Sequence, residues 1–467
     1  METLRGKKVT VMGLGLHGGA LGTIEWLYSL GADITVTDMK TQTQLAPTLE
    51  KLRPYPNIRY VLGQHNETDF MGADMVIRNP SVPRTSPFLL KARENNVPVE
   101  MDSSLFFEYA PTEDIIGVTG SKGKTTTANA IAIVLKHFRP EAVAVGVDGV
   151  SPLGKLPEIN KGAPAVFELS SWRLEALRER ALSPKTAVVT SIYRDHLNTY
   201  DSFADYIEVK KSILLSQGKE DVAILNGDDV EIVTWRTQVP GRLYWYSVTD
   251  LPTGDGIFLR DGQVIIRQAD KETVVMGADM LPLQSAHEKR NLLPAILIGY
   301  LRGMQPDELT KAMALVHRLP HRMEIVGGFD GVTYINDSAA TMPDATIAAL
   351  QSLQGKSVVH ILGGSDKALE FGELAVALGK ATIRALVWLP GTATEKMKGL
   401  ILSQVPGVPT YDAVSMESAV ALAKQATKAG DIVLMSPGAT SFGLFLHEFD
   451  RGDKFRVAVR NLKQNYT

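Results

Sequence analysis

The residues with the clearest chemical meaning form a glycine-rich loop about a quarter of the way along the chain. Residues 119–126 read Thr-Gly-Ser-Lys-Gly-Lys-Thr-Thr, between the apolar run 115–119 and the alanine-rich stretch 128–135. In such a strand–loop–helix turn, backbone N–H groups surround phosphates, the lysine reaches the β and γ oxygens, and the threonine hydroxyl ligates Mg²⁺. The strict P-loop spacing fails, because Val118 stands where that pattern needs glycine. The shortened form still predicts an ATP phosphate site, with a structural turn as the alternative, at Gly120, Ser121, Lys122, Gly123, Lys124, Thr125 and Thr126.

A second glycine pattern lies near the N-terminus. Gly13, Gly15 and Gly18 form G-x-G-x-x-G after a short apolar run, and Asp38 follows 20 residues after Gly18. In a dinucleotide-binding turn, the glycines let a diphosphate approach a helix N-terminus, and the acid meets a ribose hydroxyl. Alone, this pattern predicts an NAD-dependent dehydrogenase or a tight turn without ligand. The ATP loop weakens the dehydrogenase interpretation, because hydride transfer does not need a P-loop.

Short β-branched runs alternate with helix-length amphipathic stretches, a pattern typical of parallel α/β sheets. At about 150 residues per domain, a chain of 467 residues is expected to have about three domains. The predicted domain boundaries lie near residues 109–113 and 319–321, so the three domains would comprise residues 1–110, 111–319 and 320–467. Residues 243–280 have short apolar runs, Gly-Asp and Asp-Gly turns and few helix signals, which predicts a small β-rich insertion in the middle domain. Buried strands are predicted at 9–12, 34–37, 75–77, 115–119, 166–169, 186–190, 222–225, 332–335, 358–362, 385–389 and 432–435.

The composition excludes several classes of protein. The 467 residues are 44% hydrophobic and 22% charged, close to globular averages, which excludes wholesale disorder. Lysine and arginine number 49 against 52 acidic residues, so there is no basic excess for general nucleic-acid binding. The absence of cysteine excludes a disulfide framework, a cysteine zinc ribbon and a thiol nucleophile. With no secretory leader and no long apolar span, the sequence predicts a cytoplasmic protein without a membrane partner.

Further segments follow the phosphate loop in a recognisable order. They include an acidic strand end, an Asp-His pair, a helix with lysine four residues after tyrosine, and N-D-S-x-A-T and S-P-x-x-x-S-F sequences. Over essentially its whole length, the chain resembles the ATP-dependent Mur ligase and folylpolyglutamate synthetase superfamily. The segments that carry the resemblance are Phe167–Ser171, Asp195–His196, Tyr206–Lys210, His287–Asn291, His321–Arg322, Asn336–Thr341, Ser436–Phe442 and Arg451–Asp453.

This resemblance implies a fold and a reaction. The α/β fold would comprise a Rossmann-like N-terminal domain, a P-loop ATPase-like central domain and a Rossmann-like C-terminal domain. A substrate carboxylate would attack the γ-phosphate of ATP, and an amino acid's amine would displace phosphate from the acyl phosphate. The chain is most similar to the branch that adds D-glutamate to UDP-N-acetylmuramoyl-L-alanine in peptidoglycan precursor synthesis. The D-N-P-R motif of the diaminopimelate or lysine ligases is absent.

The resemblance also implies roles for residues of the central domain. Lys124 would contact the phosphates, and Thr125 and Glu168 would hold a first Mg²⁺. His196 would hold a second Mg²⁺, together with Lys210 as a carbamate, which is a hard oxygen ligand. The alternatives are that Lys210 is one of two solvated helix lysines and that Glu168 is a surface acid.

Three further groups of site residues follow from the resemblance. The adenine, phosphate and ribose of ATP would contact Asn291, Arg322 and Asp337. The UDP substrate would contact Gly13, Gly15, Leu16, His17, Gly18, Asp38, Met39, Asp148 and Ser170. The amino acid would contact Thr341, Lys367, Ser441 and Phe442. Lys367 has the alternative of a surface lysine, and Arg173, where the family usually has glutamine, either touches a pyrophosphate or is exposed.

Several residues depart from the family pattern, mainly near the expected amino-acid site. They are Ala339, Glu288, Asp148, Gly443 and Glu448. Without the usual lysine at 339 and with an acid at 448, an anionic amino acid should depend more on Lys367. The alternatives are a ligase of the same mechanism with another amino acid or acceptor, an NAD-dependent oxidoreductase, and a non-catalytic nucleotide-binding partner. A monomer with small-molecule substrates is expected.

Overall fold

The computed structural model describes residues 4–15, 19–80, 82–147, 150–193, 200–251, 253–367 and 369–464. Five predicted site residues lie outside the described residues: Leu16, His17, Gly18, Asp148 and His196. The chain divides into two compact units, residues 1–317 and 318–467. Three parallel or mixed sheets with helices between their strands confirm the predicted α/β class.

The first sheet has five parallel strands in the order β3-β2-β1-β4-β5, as in dinucleotide-binding folds. The central strand carries the glycine loop at its carboxyl end, next to the end of β2. The strands are β1 (Lys8–Met12), β2 (Asp33–Asp38), β3 (Arg59–Leu62), β4 (Met75–Arg78) and β5 (Val99–Glu100). The helices are α1 (Gly19–Ser29), α2 (Gln42–Leu52), α3 (Glu67–Met71), α4 (Pro87–Glu94) and α5 (Asp102–Tyr109).

The second sheet has nine strands in the order β14-β13-β12-β11-β10-β9-β6-β8-β7, with antiparallel pairing only at β12-β13-β14. Its strands are β6 (Ile115–Thr119), β7 (Val143–Val145), β8 (Ala165–Glu168), β9 (Thr186–Val189), β10 (Val222–Asn226), β11 (Arg242–Ser247), β12 (Gly256–Arg260), β13 (Gln263–Gln268) and β14 (Lys271–Gly277). Its helices are α6 (Lys124–Phe138), α7 (Ser171–Glu179), α8 (Phe203–Leu215), α9 (Val230–Val233), α10 (Ala286–Leu301) and α11 (Pro306–Met313). The predicted β-rich insertion is therefore present as strands β11 to β14, which extend this sheet rather than form a separate one.

Alternating side chains cover both faces of the central strands. Ile116, Val118 and Val188 are buried in the hydrophobic cluster that includes residues of α6 and α10. Ala187 and Val189 are buried in the cluster that includes residues of α7 and α8. Burial on both faces explains why these strands read as continuous apolar runs.

Buried ion pairs join the first sheet's elements to the second sheet's helix α7. Arg78 Nη2 lies 2.7 Å from Glu175 Oε2, and both side chains are almost fully buried. Arg173 is also buried and donates to both carboxylate oxygens of Asp102, at 3.2 and 2.8 Å. The exposed alternative for Arg173 is therefore wrong, because its guanidinium fixes α5 against α7.

The C-terminal unit contains a six-stranded sheet in the order β15-β16-β20-β17-β18-β19, parallel except for the edge strand β15. Its strands are β15 (Glu324–Phe329), β16 (Val332–Asn336), β17 (Val358–Gly363), β18 (Ile383–Leu389), β19 (Thr410–Asp412) and β20 (Ile432–Met435). Its helices are α12 (Pro343–Ser352), α13 (Gly372–Lys380), α14 (Thr392–Gln404), α15 (Met416–Ala426) and α16 (Glu448–Gln464).

All eleven predicted strands are present, with ends shifted by at most two residues. The strands that the sequence did not predict are mostly short and lie at sheet edges, such as β5, β7 and β19. Within the described part of the chain, no helix has the length and apolar character needed to cross a membrane.

The buried Arg78–Glu175 pair predicts that replacing two different acidic residues of α7 lowers the stability of the protein by very different amounts. Glu175→Ala should lower the free energy of unfolding by ~3–5 kcal/mol, because it leaves the Arg78 guanidinium buried without its carboxylate. Glu179 is the matched control, since its partner Arg93 and its own side chain are substantially exposed. Glu179→Ala should cost about 1 kcal/mol or less. Urea denaturation of the full chain measures both, and equal losses would contradict this account.

Candidate active site

The phosphate loop is set by the ends of β6 and α6. Strand β6 ends at Thr119 and α6 begins at Lys124, which leaves four residues for the turn. Gly120 and Gly123 have φ values of +145° and +87°, in the region that favours glycine. A Cβ on Gly120 would clash with Thr190 Oγ1, and one on Gly123 with Asn291 Oδ1. Both glycines are therefore required by the conformation and by close neighbours.

The side chains of the loop are ordered by contacts within it. Lys124 Nζ donates to the carbonyls of Gly120 and Ser121, at 3.0 and 3.1 Å. Thr125 is buried at the second residue of the helix. The predicted cationic and hydroxyl groups thus lie at the loop, while Lys122 and Thr126 are half-buried beside it.

Strand pairing places an acid beside the loop. Glu168 is the last residue of β8, and its Cα pairs with Val118 of β6. Its Oε2 atom is buried and has no hydrogen-bond partner among the described residues. A buried carboxylate oxygen without a partner is costly unless a cation or donor binds it. This geometry fits a hard cation at Glu168, although in the described ranges no three histidine or acidic side chains form a metal-holding group.

Helix α8 brings Lys210 to the same place. Lys210 is 1% exposed, and its Nζ donates to Thr119 Oγ1 at 3.1 Å. Nζ also lies 5.5 Å from the ring centre of Tyr206, whose hydroxyl shares a hydrogen bond of 2.9 Å with Ser121 Oγ. The alternative of two solvated lysines is wrong, since Lys211 is buried as well.

Asn291 also belongs to this cluster. Its backbone carbonyl accepts from Thr127 Oγ1 at 3.0 Å, and its side chain lies against Gly123. The predicted ATP contact at Asn291 therefore lies at the phosphate loop itself.

The Asp38 side chain contacts the first glycine loop itself. The Asp38 carboxylate is buried, and its Oδ2 accepts from the N–H groups of Leu14 and Gly15 at 2.8 and 3.1 Å. Its Oδ1 accepts from Lys40 N at 2.8 Å. Asp38 thus orders its own glycine loop, a role that the fingerprint did not predict.

The other described residues predicted for the UDP substrate vary in exposure. Gly13 and Gly15 have φ values of +92° and +64°. Met39 is exposed, and Ser170 caps α7 by accepting from Arg173 N.

In the C-terminal unit, three loops meet at the carboxyl ends of the neighbouring strands β16, β20 and β17. The Ser436 hydroxyl of the second loop donates to Asp337 Oδ2 of the first at 2.8 Å. Ser365 of the third loop exchanges backbone hydrogen bonds with Thr440 of the second. Sequence segments about 70 to 100 residues apart are thereby joined in one cluster, as the resemblance implied.

The predicted amino-acid and ATP residues of this unit lie on or near these loops with different exposure. Ser441 is buried, and its hydroxyl has no partner among the described residues. Thr341 is half-buried, whereas Lys367, Phe442 and Arg322 are exposed.

Arg451 is a structural centre that the sequence indicated only as part of a motif. It is fully buried and donates to the carbonyls of Ala439 and Ser338, at 3.0 and 2.9 Å, and to Ser338 Oγ at 3.0 Å. Burial lowers the pKa of its guanidinium to about 9. Arg451 therefore ties two of the three loops together.

The buried carboxyl group of Asp337 should make the free energy of unfolding depend on pH. Burial raises the pKa of its carboxyl group from 3.8 to about 6. A raised pKa in the folded state means that folding favours the protonated form of Asp337. The contribution of this group to stability is therefore lost as the pH rises from about 4 to about 6, and it does not change further at higher pH. This loss should be roughly 3 kcal/mol.

Asp337→Asn, which does not titrate, should lack this loss. Urea denaturation of both proteins from about pH 4 to about pH 7.5 measures it as a stability difference that changes and then levels off. A difference that stays constant over this range would contradict the assignment.

The family models match the chain in three consecutive regions. The N-terminal domain of MurD-like Mur ligases matches residues 7–100, the Mur ligase middle domain residues 118–298, and the Mur ligase glutamate ligase domain residues 321–438. The three sheets described above lie within or around these regions.

Individual relatives match nearly the whole chain. A UDP-N-acetylmuramoylalanine–D-glutamate ligase of Roseiflexus sp. (strain RS-1) is 38% identical over 98% of this chain and 99% of its own. A protein of the same name from Clostridioides difficile is 32% identical over 98% and 100%. The structure of UDP-N-acetylmuramate-alanine ligase MurC from Thermotoga maritima, at 19% identity, covers 98% of this chain and 100% of that one with a TM-score of 0.63, which shows the shared fold.

The order of the domains and the full-length identity to these relatives lead to one assignment: the chain belongs to the Mur ligase family, with an N-terminal domain of the MurD-like type.

Proposed function

We propose that this chain is the ATP-dependent ligase that adds D-glutamate to UDP-N-acetylmuramoyl-L-alanine in peptidoglycan precursor synthesis. The observation that carries the proposal is the cluster at one end of the central sheet. There Glu168 at the end of β8, with a carboxylate oxygen that has no hydrogen-bond partner among the described residues, lies next to the phosphate loop after β6, and the buried Lys210 of helix α8 donates to Thr119 at the start of that loop. The names of the full-length relatives support the choice of substrates.

The chemistry requires charge to be balanced at the transferred phosphoryl group. The substrate carboxylate attacks the γ-phosphorus of ATP, and ADP leaves. The amine of the amino acid then attacks the acyl carbon, and phosphate leaves with one oxygen of the former carboxylate. Lys124 neutralises phosphoryl oxygens during the first step, and the N–H groups at the start of α6 orient them.

Mg²⁺, which the family uses, fits the residues at the loop. Glu168 offers an oxygen with no other described partner, and the Thr125 hydroxyl belongs to the first turn of α6. These two side chains would hold a first ion, which would neutralise negative charge on the phosphate oxygens. A second ion would be held by His196 and by the carbamate of Lys210.

The substrates are assigned to residues as follows. Gly13, Gly15, Leu16, His17, Gly18, Asp38, Met39, Asp148 and Ser170 bind the UDP substrate. Asn291, Arg322 and Asp337 complete the ATP site, and Thr341, Lys367, Ser441 and Phe442 bind the amino acid. We place the domain boundaries near residues 110 and 319. A monomer located in the cytoplasm stays a prediction from the sequence.

A phosphate-release assay tests the function directly. With ATP, Mg²⁺ and UDP-N-acetylmuramoyl-L-alanine, phosphate release should depend on D-glutamate and yield one amide product. A panel of L-glutamate, D-aspartate, lysine and diaminopimelate serves as the control. Activity with another amino acid and none with D-glutamate would overturn the choice of amino acid while leaving the ligase mechanism.

Lys210 and Lys211 form a matched pair for testing the carbamate. Lys210→Ala should lower ligation about 100-fold or more, because an oxygen ligand to the metal is lost. Millimolar formate or acetate should restore part of the activity by supplying a small carboxylate. Lys211→Ala should stay active, since Lys211 Nζ pairs with Glu208 instead. Full activity of Lys210→Ala would refute the role.

A further inference from the structure

A four-residue segment after strand β9 lies along the phosphate loop. Ser121 N donates to the carbonyl of Ser191 at 2.7 Å, and Lys122 N donates to Ser191 Oγ at 3.0 Å. Thr190 Oγ1 donates to the carbonyl of Lys122 at 2.5 Å, and Tyr193 N donates to Ser121 Oγ at 2.9 Å. The segment Thr190–Tyr193 therefore contacts the first half of the loop at both backbone and side-chain atoms.

This segment is itself bonded from its other side by side chains that include Asn226, the last residue of β10, and Asp229, in the turn between β10 and α9. Asn226 Nδ2 donates to the carbonyl of Thr190 at 2.7 Å. Asp229 Oδ2 accepts from the N–H of Ile192 at 2.8 Å. Because β9 lies between β6 and β10, these two side chains lie one strand further from the loop than the segment they hold.

We propose that Asn226 and Asp229 are positioning residues for the ATP phosphate loop, acting through Thr190–Tyr193. This inference rests on the proposed ATP-dependent function and adds two residues to which no role has been assigned. A loop already held in its bound shape loses less conformational freedom when phosphates bind. Weakening the segment should therefore reduce the affinity for ATP more than it affects the other two substrates.

The two side chains can be altered without changing their size. Asp229 Oδ1 accepts from the N–H groups of Glu231 and Ile232 and caps α9, whereas Oδ2 alone faces Ile192. Asp229→Asn keeps an oxygen for the cap and turns an NH₂ group toward the Ile192 N–H, so that two donors face each other. Asp229→Ala removes the cap as well.

Asn226 allows the opposite exchange. Its Oδ1 accepts from Asp228 N at 3.0 Å, and its Nδ2 faces the Thr190 carbonyl. Asn226→Asp keeps the hydrogen bond from Asp228 N. It replaces the NH₂ group that faces the Thr190 carbonyl with a carboxylate oxygen, so that two acceptors face each other. Both exchanges therefore remove the contact to the segment and keep the local turn.

Asp221 provides the matched control, since it precedes the same strand at its opposite end. Its carboxylate accepts from Gly218 N at 2.7 Å and pairs with Lys185 at 3.4 Å, away from the phosphate loop. Asp221→Asn should leave the KM for ATP unchanged.

The experiment compares steady-state kinetics, calorimetric titration with Mg-ATP and thermal unfolding of the full-length variants. Asp229→Asn and Asn226→Asp should each raise the KM and Kd for ATP about tenfold. This is the loss of affinity expected when one buried hydrogen bond is removed. The KM values for the UDP substrate and the amino acid should stay unchanged, and Tm should fall by only about 2–4 °C, the effect of one lost buried hydrogen bond. Asp229→Ala should lower Tm further, because it also removes the cap of α9.

Two results would overturn the proposal. One is a wild-type KM and Kd for ATP in both exchanged variants. The other is an equal rise of all three KM values with a larger fall in Tm, which is the pattern of general destabilisation. Calorimetric ATP binding by the wild-type chain without any ligation would instead count against the proposed function, so the two failures can be told apart.

Discussion

The parallel alignment of β8, β6 and β9 is the constraint on which the candidate site depends. Parallel pairing brings the carboxyl ends of neighbouring strands to one edge of the sheet. Here it places Glu168, the phosphate loop and Thr190–Tyr193 side by side, although up to about 70 residues separate them in the chain. A slip of one residue in β8 would turn Glu168 to the other face of the sheet.

Buried charges are the second organising feature, and they divide into two kinds. Arg173 and Arg78 each pair with a buried carboxylate, which compensates for the removal of their charge from water. Glu168 and Asp337 are compensated less: one has an oxygen without a described partner, and the pKa of the other is raised. The well-paired arginines hold elements together, while the poorly compensated acids belong to the expected substrate and metal sites. This contrast is expected, because functional groups are kept ready for a ligand at some cost in stability.

The sequence predicted the fold well because most core strands are apolar runs followed by glycine turns. It predicted the central site through motifs whose spacing has a direct structural meaning. Lysine four residues after Tyr206 lies on the same helix face, and Glu168 ends a strand beside the loop. It could not predict that Asp38 would bind its own glycine loop, because that depends on the exact approach of β2 to β1. Nor could it identify Asp229, since an Asn-Gly-Asp-Asp turn after a strand is common and only the fold places it behind the loop. The short edge strands were missed because few residues define them.

The central claim is that the carboxylate of the acceptor attacks the γ-phosphate of ATP and that this oxygen later leaves with phosphate. The most direct measurement uses UDP-N-acetylmuramoyl-L-alanine labelled with ¹⁸O in its alanine carboxylate. Mass spectrometry of the phosphate released in the presence of ATP, Mg²⁺ and D-glutamate should find one labelled oxygen for each amide formed. Phosphate that carries no label, with amide formation at the normal rate, would contradict the account.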